Sequence, residues 1–511
     1  MIYCILGTTA SGKSSLANKL ARNLDLPLIG ADAFQIYKEL NIGSAKPSKE
    51  ELNGLTYSLI DDTSVLEEVS VSLYQEKARA ILEKYLNDGK DVIVVGGTFL
   101  YVKALLFNYI FPKNIQKEDG LENKSKEELL GILEKEDPET FQIIDKNNLR
   151  RVIGAIRLAK GGNSRANLIS QNQDKPLYPV KFFNIDIDKE ANLQNINLRV
   201  EEMFKNGLIS EVKDLITKFN PSLHAFKAIG YKEVIEGLKE NKSEEEIKDD
   251  VKLATRQYAK KQRTFLRHQF PNLITLKPEE IEKYITYDAI RRLRNKYSIK
   301  PKVLNRIENS SILLVGIGGV GSIIANGLIR LGIKNLTIVD KDIVETSNLN
   351  RQIMYDYNDI NLAKVDACKN HLLKLDPLAN INALKQNFST ELISSNFDFV
   401  FDCIDDVKSK VDLVLKCLEK NVKFISATGS GLRTQANCFR VGNLNNTGEP
   451  LAKKFKLFLK EKGFNNLEKI VVTYSTEVPQ KRYTKFVGSN IISPNSQGLC
   501  MLSYFLKIFE D

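Results

Sequence analysis

Twice in this chain a short apolar run ends in a glycine turn that opens a helix, and the two occurrences lie far apart. The later one is Ile312-Leu313-Leu314-Val315 followed by Gly316-Ile317-Gly318-Gly319-Val320-Gly321-Ser322. Four branched apolar residues read as a buried strand, and the glycines turn the chain into a helix predicted to reach Leu331. Glycines at such a turn let backbone N–H groups approach a phosphate at the positive end of a helix dipole. The earlier occurrence is Ile2–Leu6, then Gly7-Thr8-Thr9-Ala10-Ser11-Gly12-Lys13-Ser14, then a helix to about Asn23. Here the backbone amides are expected to cradle a diphosphate, Lys13 to neutralise it and the Ser14 hydroxyl to bind Mg²⁺. A chain that starts a nucleotide-handling layer twice must build two α/β domains, and its 511 residues are too many for one core.

Composition excludes several other classes. The hydrophobic fraction of 42% and charged fraction of 27% are those of a soluble globular protein. No apolar run approaches the ~20 residues of a membrane span, and the opening MIYCILGTTASGK reads as a strand entering a glycine loop rather than a signal peptide. Cys4, Cys368, Cys403, Cys417, Cys438 and Cys500 form no C-x-x-C pair, and with three histidines a Cys/His zinc site is not expected. A reduced, cytoplasmic setting is the simplest account. The net charge of +10, from 74 Lys and Arg against 64 Asp and Glu, suits a polyanionic partner such as RNA.

Further segments succeed the first loop in order. They are Ile29-Gly30-Ala31-Asp32-Ala33-Phe34-Gln35-Ile36-Tyr37, Leu40-Asn41-Ile42-Gly43-Ser44-Ala45-Lys46-Pro47 and Gly96-Gly97-Thr98-Phe99-Leu100-Tyr101. Asn148-Leu149-Arg150-Arg151, Asn197-Leu198-Arg199 and the basic stretch Lys252–Arg267 come later. This series resembles the tRNA dimethylallyltransferases, which transfer a dimethylallyl group from its diphosphate to N6 of the adenosine 3′ of the anticodon. The resemblance implies a P-loop NTPase-like parallel-sheet domain over 1–287, with a helical insertion at about 113–190 that clamps the anticodon stem-loop. It also implies Asp32 as the base that takes the N6 proton and Thr98 at the reacting end. Gly7, Thr8, Thr9, Ala10, Ser11, Gly12, Lys13 and Ser14 would serve the diphosphate, and Gln35, Arg256, Lys260 and Arg263 the RNA. Two positions depart from the family pattern: Asn41 stands where Asp is usual, and Tyr57-Ser58 where paired histidines are usual. Asn41 removes a charge beside the site.

Between Tyr287 and Ser311 lies a basic run containing Arg291, Arg292, Arg294, Lys296, Lys300, Lys302 and Arg306. It reads equally as a linker lying on RNA or as the opening helix of a second domain.

The second glycine loop, with Asp340 ending the next strand, would suit an NAD site as well as an ATP site. Three segments further along the chain separate them: Asn348-Leu349-Asn350-Arg351-Gln352, then Ala363-Lys364, then Asp402-Cys403-Ile404-Asp405-Asp406. These resemble the ThiF/MoeB and ubiquitin-activating family, which adenylates carboxylates with ATP on a Rossmann-like α/β fold, here expected over 288–511. By that resemblance Gly316, Gly318, Gly319 and Gly321 line the ATP site and Asp340 holds the ribose. Asn348, Arg351 and Lys364 would contact the phosphates and Asp405 would hold Mg²⁺. Arg291 or Arg294 would reach a neighbouring subunit's ATP in a homodimer. Pro450-Leu451-Ala452-Lys453-Lys454-Phe455, Val471–Glu477 and Gly488-Ser489 resemble the tRNA threonylcarbamoyladenosine dehydratases, which close a ring on that modified nucleoside. The expectation is thus a fusion of two tRNA-modifying enzymes using dimethylallyl diphosphate, ATP and Mg²⁺, with tRNA as partner and no membrane. Two alternatives remain open: a second half that activates a ubiquitin-like or sulfur-carrier protein, and a first half that only captures tRNA.

Overall fold

A computed structural model describes residues 1–109, 120–167, 176–270, 272–394, 396–479 and 488–510. They form two compact units, Met1–Ala289 and Ile290–Asp511.

The first unit is built on a six-stranded sheet in the order β3-β2-β4-β1-β5-β6, parallel throughout. Its strands are β1 Ile2–Leu6, β2 Leu28–Gly30, β3 Tyr57–Ser58, β4 Val92–Val95, β5 Val180–Ile185 and β6 Ile274–Leu276. All five residues of β1 are buried, as expected for a run without alternation that is covered on both faces. Because β1 pairs with β4, the glycine turns that follow both strands open side by side at the same edge of the sheet. Helices Lys126–Glu136 and Leu149–Lys160 enclose a small separate core of Leu121, Leu129, Leu133, Val152, Ala155 and Ile156. The helical stretch ends short of residue 190, because 180–185 is β5, paired in register with β1. Residues 113–119 and 168–175 of the expected insertion lie outside the described residues.

The second unit carries a seven-stranded sheet in the order β12-β13-β11-β10-β7-β8-β9. The strands are β7 Ser311–Val315, β8 Asn335–Val339, β9 Asn380–Leu384, β10 Phe399–Asp402, β11 Lys423–Ala427, β12 Phe439–Asn443 and β13 Val471–Ser475. All neighbours are parallel except the β12–β13 pair, so the sheet is mixed. Helix Gly319–Leu331 leaves β7 through the glycine turn and packs beside helix Ile492–Glu510.

The basic run is not a linker. Helix Pro278–Ser298 runs through it and helix Pro301–Asn309 follows. Arg292 is 1% exposed and donates Nε to Glu308 at 2.6 Å, while Arg291 pairs with Asp376 at 3.2 Å. Glu308 follows the last cation of the run by two residues and Asp376 lies far along the chain, so the charge pattern alone does not show which cations are buried. Among the described residues no helix is long and apolar enough to cross a membrane.

Candidate active sites

The first unit holds a cavity of about 160 Å³ at the edge where the two glycine turns meet. Thr9 to Ser15 line it, with Asp32, Gln35, Tyr57, Gly96, Gly97, Arg199, Tyr258 and Gln262. The loop takes its shape from Gly12 and Ala10, both at positive φ, and from side chains behind it. Asn192 accepts from the Thr8 hydroxyl at 3.0 Å and donates to the Thr9 carbonyl at 3.0 Å. Gln262 accepts the Thr9 amide at 2.7 Å and donates to the Gly97 carbonyl at 2.9 Å. The Ser11 hydroxyl is buried with no hydrogen-bond partner among the described residues, as a loop shaped around a ligand oxygen would leave it.

Two cations share this cavity. Burial first, and then the Arg199 guanidinium, push Lys13 down from 10.5 to about 8, with Asp32 opposing them. Burial lowers Arg199 as well. Like charges held close in a buried site favour a polyanionic guest, which relieves both.

Asp32 follows β2 and is fixed by its own turn: Oδ1 accepts the amides of Phe34 at 3.0 Å and Gln35 at 3.2 Å. Its Oδ2 accepts no hydrogen bond among the described residues, which leaves one carboxylate oxygen available to take a proton. Thr98 sits beside it, accepting the Ala33 amide at 3.0 Å through Oγ1 and donating its own amide to the Ala31 carbonyl at 3.1 Å. That approach requires Gly96, where a Cβ would lie 2.1 Å from the Ala31 oxygen. Burial, with Asp32 adding to it, pushes the Tyr57 and Tyr258 phenols up, so both stay protonated.

The second unit holds a larger cavity of about 810 Å³ at the C-terminal ends of β7, β8 and β10. Gly316, Gly318, Gly319, Asp340, Asn348, Arg351, Lys364 and Asp405 all line it. Asp340 accepts the Ile317 amide at 2.7 Å through one oxygen and the Asp342 amide at 2.9 Å through the other, so it fastens the glycine turn to the end of β8. Gly321 lies behind the wall, where a Cβ would fall 1.9 Å from the Gly316 carbonyl. Lys364 pairs with Asp342 at 3.0 Å, and Arg351 donates to the Ser347 carbonyl at 2.7 Å. Asp405 is exposed and has no hydrogen-bond or ion-pair partner among the described residues, so its oxygens are open to a hard cation. Cys403 also lines the cavity, but burial raises its thiol well above the ordinary range and makes it a poor nucleophile.

Residues 35–269 match the family model described as IPP transferase. A tRNA dimethylallyltransferase of Exiguobacterium sp. is 34% identical over 279 residues, covering 53% of this chain and 89% of that protein. The chain belongs to the tRNA dimethylallyltransferase family. Residues 291–473 match the ThiF family, so the transferase half is followed by a ThiF-family half. A eukaryotic dimethylallyltransferase acting on tRNA has the same fold, with a TM-score of 0.50 at 23% identity over 58% of this chain and 79% of that one. The E. coli tRNA N6-threonylcarbamoyladenosine dehydratase TcdA, in complex with ATP, is similar at 26% identity over 43% of this chain and 94% of that one, with a TM-score of 0.41.

Within the transferase half, the remaining residues singled out in the sequence are distributed more widely. Gln35 donates to the Ser44 and Ala45 carbonyls, each at 3.0 Å, and so braces a neighbouring loop from the cavity wall. On helix Glu244–Gln269, Arg263 donates to Asn192 at 3.0 Å, behind the phosphate loop. Arg256 donates to Asn197 at 2.7 Å, and Lys260 is exposed. Asn41 does not line the Lys13 cavity; it accepts from Lys46 at 3.1 Å, and Asp61 supplies that lysine with a carboxylate at 2.8 Å. In the ThiF-family half, Arg294 is exposed, whereas Arg291 is bound to Asp376 and to the Ile329 carbonyl.

The sequence does not mark Arg199, Gln262 and Asn192 as site residues, though all three contact the loop or line its cavity. Arg199 and Gln262 lay in segments already singled out, but without the fold nothing distinguishes an inward-facing Gln262 from Lys260 two residues earlier.

Proposed function

We propose that the chain carries two tRNA-modifying activities. The transferase half moves a dimethylallyl group from dimethylallyl diphosphate to N6 of the adenosine 3′ of the anticodon. The observation that carries this reading is the convergence of Lys13, Arg199 and a singly occupied Asp32 carboxylate on one cavity. The loop amides, Lys13 and Arg199 bind the diphosphate. As N6 attacks the allylic carbon and the carbon–oxygen bond breaks, negative charge gathers on the diphosphate between those cations. The N6 proton passes to Asp32 Oδ2. Thr98 keeps Asp32 in place by holding Ala33, and Gln262 closes the loop. The Ser14 hydroxyl beside the diphosphate and the open Asp405 carboxylate in the other cavity are oxygen donors of the kind Mg²⁺ takes; bound there, Mg²⁺ would supply further neutralisation of leaving phosphate.

The ThiF-family half dehydrates N6-threonylcarbamoyladenosine in tRNA. Asn348, Arg351 and Lys364 hold the ATP phosphates while the threonyl carboxylate attacks the α-phosphorus and diphosphate leaves. Ring closure on the activated carboxyl then expels AMP, and the net change is loss of water. A homodimer in which exposed Arg294 reaches the neighbouring subunit's ATP belongs to the same reading.

Two incubations of the purified chain test both claims, read by nucleoside mass spectrometry. Unmodified tRNA with dimethylallyl diphosphate should yield the N6-dimethylallyl nucleoside, and its absence would remove the first activity. Threonylcarbamoylated tRNA with ATP and Mg²⁺ should lose one water and release AMP. If AMP instead forms only with a small protein acceptor, the second activity is carrier-protein activation.

A further inference from the structure

Helix Pro450–Glu461 contributes nothing to either cavity wall, yet its surface is chemically one-sided. Ala452, Phe455 and Leu459 are buried, while Lys453, Lys454 and Lys460 are exposed around a single exposed apolar residue, Leu457. Those three lysines have no ion-pair partner among the described residues. Lys462 and Lys416, by contrast, are offset by Asp412 and Glu419. One turn beyond Lys454 lies Phe458, whose ring centre is 6.0 Å from the Lys408 ammonium. Lys408 sits next to Ser409, Asp406 and Asp405, which line the ATP cavity. Lys408 therefore stands between the acidic cavity rim and the lysines of the helix.

The helix is also fastened to that rim. Glu449, the residue before it, is 8% exposed and accepts from the Thr428 hydroxyl at 2.5 Å, the Ser475 amide at 2.9 Å and Arg433 at 2.8 Å. Ser430, between Thr428 and Arg433, lines the cavity. A buried carboxylate with three donors is a fixed point, and the twelve residues of the helix extend ~18 Å from it.

We propose that this helix, with Lys408, is the RNA-docking surface of the ATP-using half, placing backbone phosphates so that the nucleotide to be modified enters the cavity. The inference rests on the dehydratase reading above. Lysine point charges on a convex helix serve phosphates, whereas protein interfaces are depleted in lysine at their centre and rich in aromatic residues.

The test compares wild type with Lys453→Ala/Lys454→Ala/Lys460→Ala and with the matching triple Arg variant, in ATP-dependent dehydration of threonylcarbamoylated tRNA. In the Ala variant KM for tRNA should rise about tenfold or more at ~0.15 M salt, and the slope of log KM against log salt should fall by ~2–3. KM for ATP and kcat at saturating tRNA should stay unchanged, and the Arg variant should behave as wild type. An unchanged KM for tRNA and salt slope overturns the proposal. So does an equal rise in KM for ATP, or a loss that arginine does not restore. If wild type itself fails to dehydrate tRNA, the dehydratase reading falls and takes this inference with it, an outcome separate from an active wild type with an indifferent variant.

Discussion

The Gln262 side chain donates to the Gly97 carbonyl at 2.9 Å while its oxygen accepts the Thr9 amide at 2.7 Å. One buried amide on helix Glu244–Gln269 thus holds together the glycine turns that follow β1 and β4. No apolar side chain could do this, because each turn offers only a backbone polar group. Replacing Gln262 with Ala leaves both groups unpaired in a buried place, at ~1–3 kcal/mol for each. We expect KM for dimethylallyl diphosphate to rise by one to two orders of magnitude with the fold retained, read by steady-state kinetics beside circular dichroism.

Asp32→Asn keeps the turn that fixes residue 32 but removes the proton acceptor. The turnover number for prenyl transfer should fall by ~10²–10⁴, with KM for the diphosphate little changed. Thr98→Val removes the acceptor for the Ala33 amide and should lower turnover less. If Asp32→Asn turned over at the wild-type rate, the base would have to be another group.

If the proposed site takes the diphosphate, its pH dependence should come from Lys13, whose pKa in the free site is lowered from 10.5 to about 8. A bound diphosphate stabilises the ammonium and so raises that pKa. Below pH 8 the lysine is charged with or without ligand, and affinity should be flat. As pH rises through 8 the free protein loses the proton and binding must take it up again, so affinity should decline by up to about tenfold per pH unit. Calorimetry in buffers of different ionisation heat should register about half a proton taken up at pH 8 and almost none at pH 6. In Lys13→Met the uptake should vanish.

In the second unit Lys410 and Asp402 form a wholly buried pair at 2.7 Å, joined by the Ser426 hydroxyl at 2.6 Å from Asp402. Lys410→Met strands a carboxylate in the core and should destabilise this unit by ~3–5 kcal/mol. Adding Asp402→Asn should recover much of that loss. The urea midpoint for loss of ATP binding measures both.

Both α/β layers and the residues around their glycine loops were legible because phosphate chemistry constrains residue type and spacing together. Gly7 to Ser14 and Gly316 to Ser322 each stand between a buried strand and a helix, as their patterns require. The loop at Gly316 does not by itself distinguish cofactors; Arg351, Lys364 and Asp405, which the sequence offers as the discriminating residues, share its cavity. Less visible are pairings that only the folded chain brings together. Arg292 reads in the sequence as one more solvated cation, whereas Glu308 lies against it in the core. The strand at 180–185 reads in the sequence as part of a helical insertion because its partner, β1, lies far away at the start of the chain. Asn192, Arg199 and Gln262 act by facing inward from long helices whose other faces are charged, and composition does not report facing.

The margins of the two sheets bear on how such a chain reaches its native state. Parallel strands meet only after long crossovers, so each layer assembles late and exposes unpaired amides meanwhile. Two layers in tandem add the hazard that one recruits strands from the other. In the first sheet the outermost strands are only two and three residues long, β3 and β6. In the second, one margin is β12, which runs against the others, and the remaining margin, β9, exposes Asn380 and Asn382. Margins so short, reversed or polar offer a poor template for a stray strand, which lets two enzymes' worth of sheet be synthesised on one polypeptide with little chance of becoming entangled.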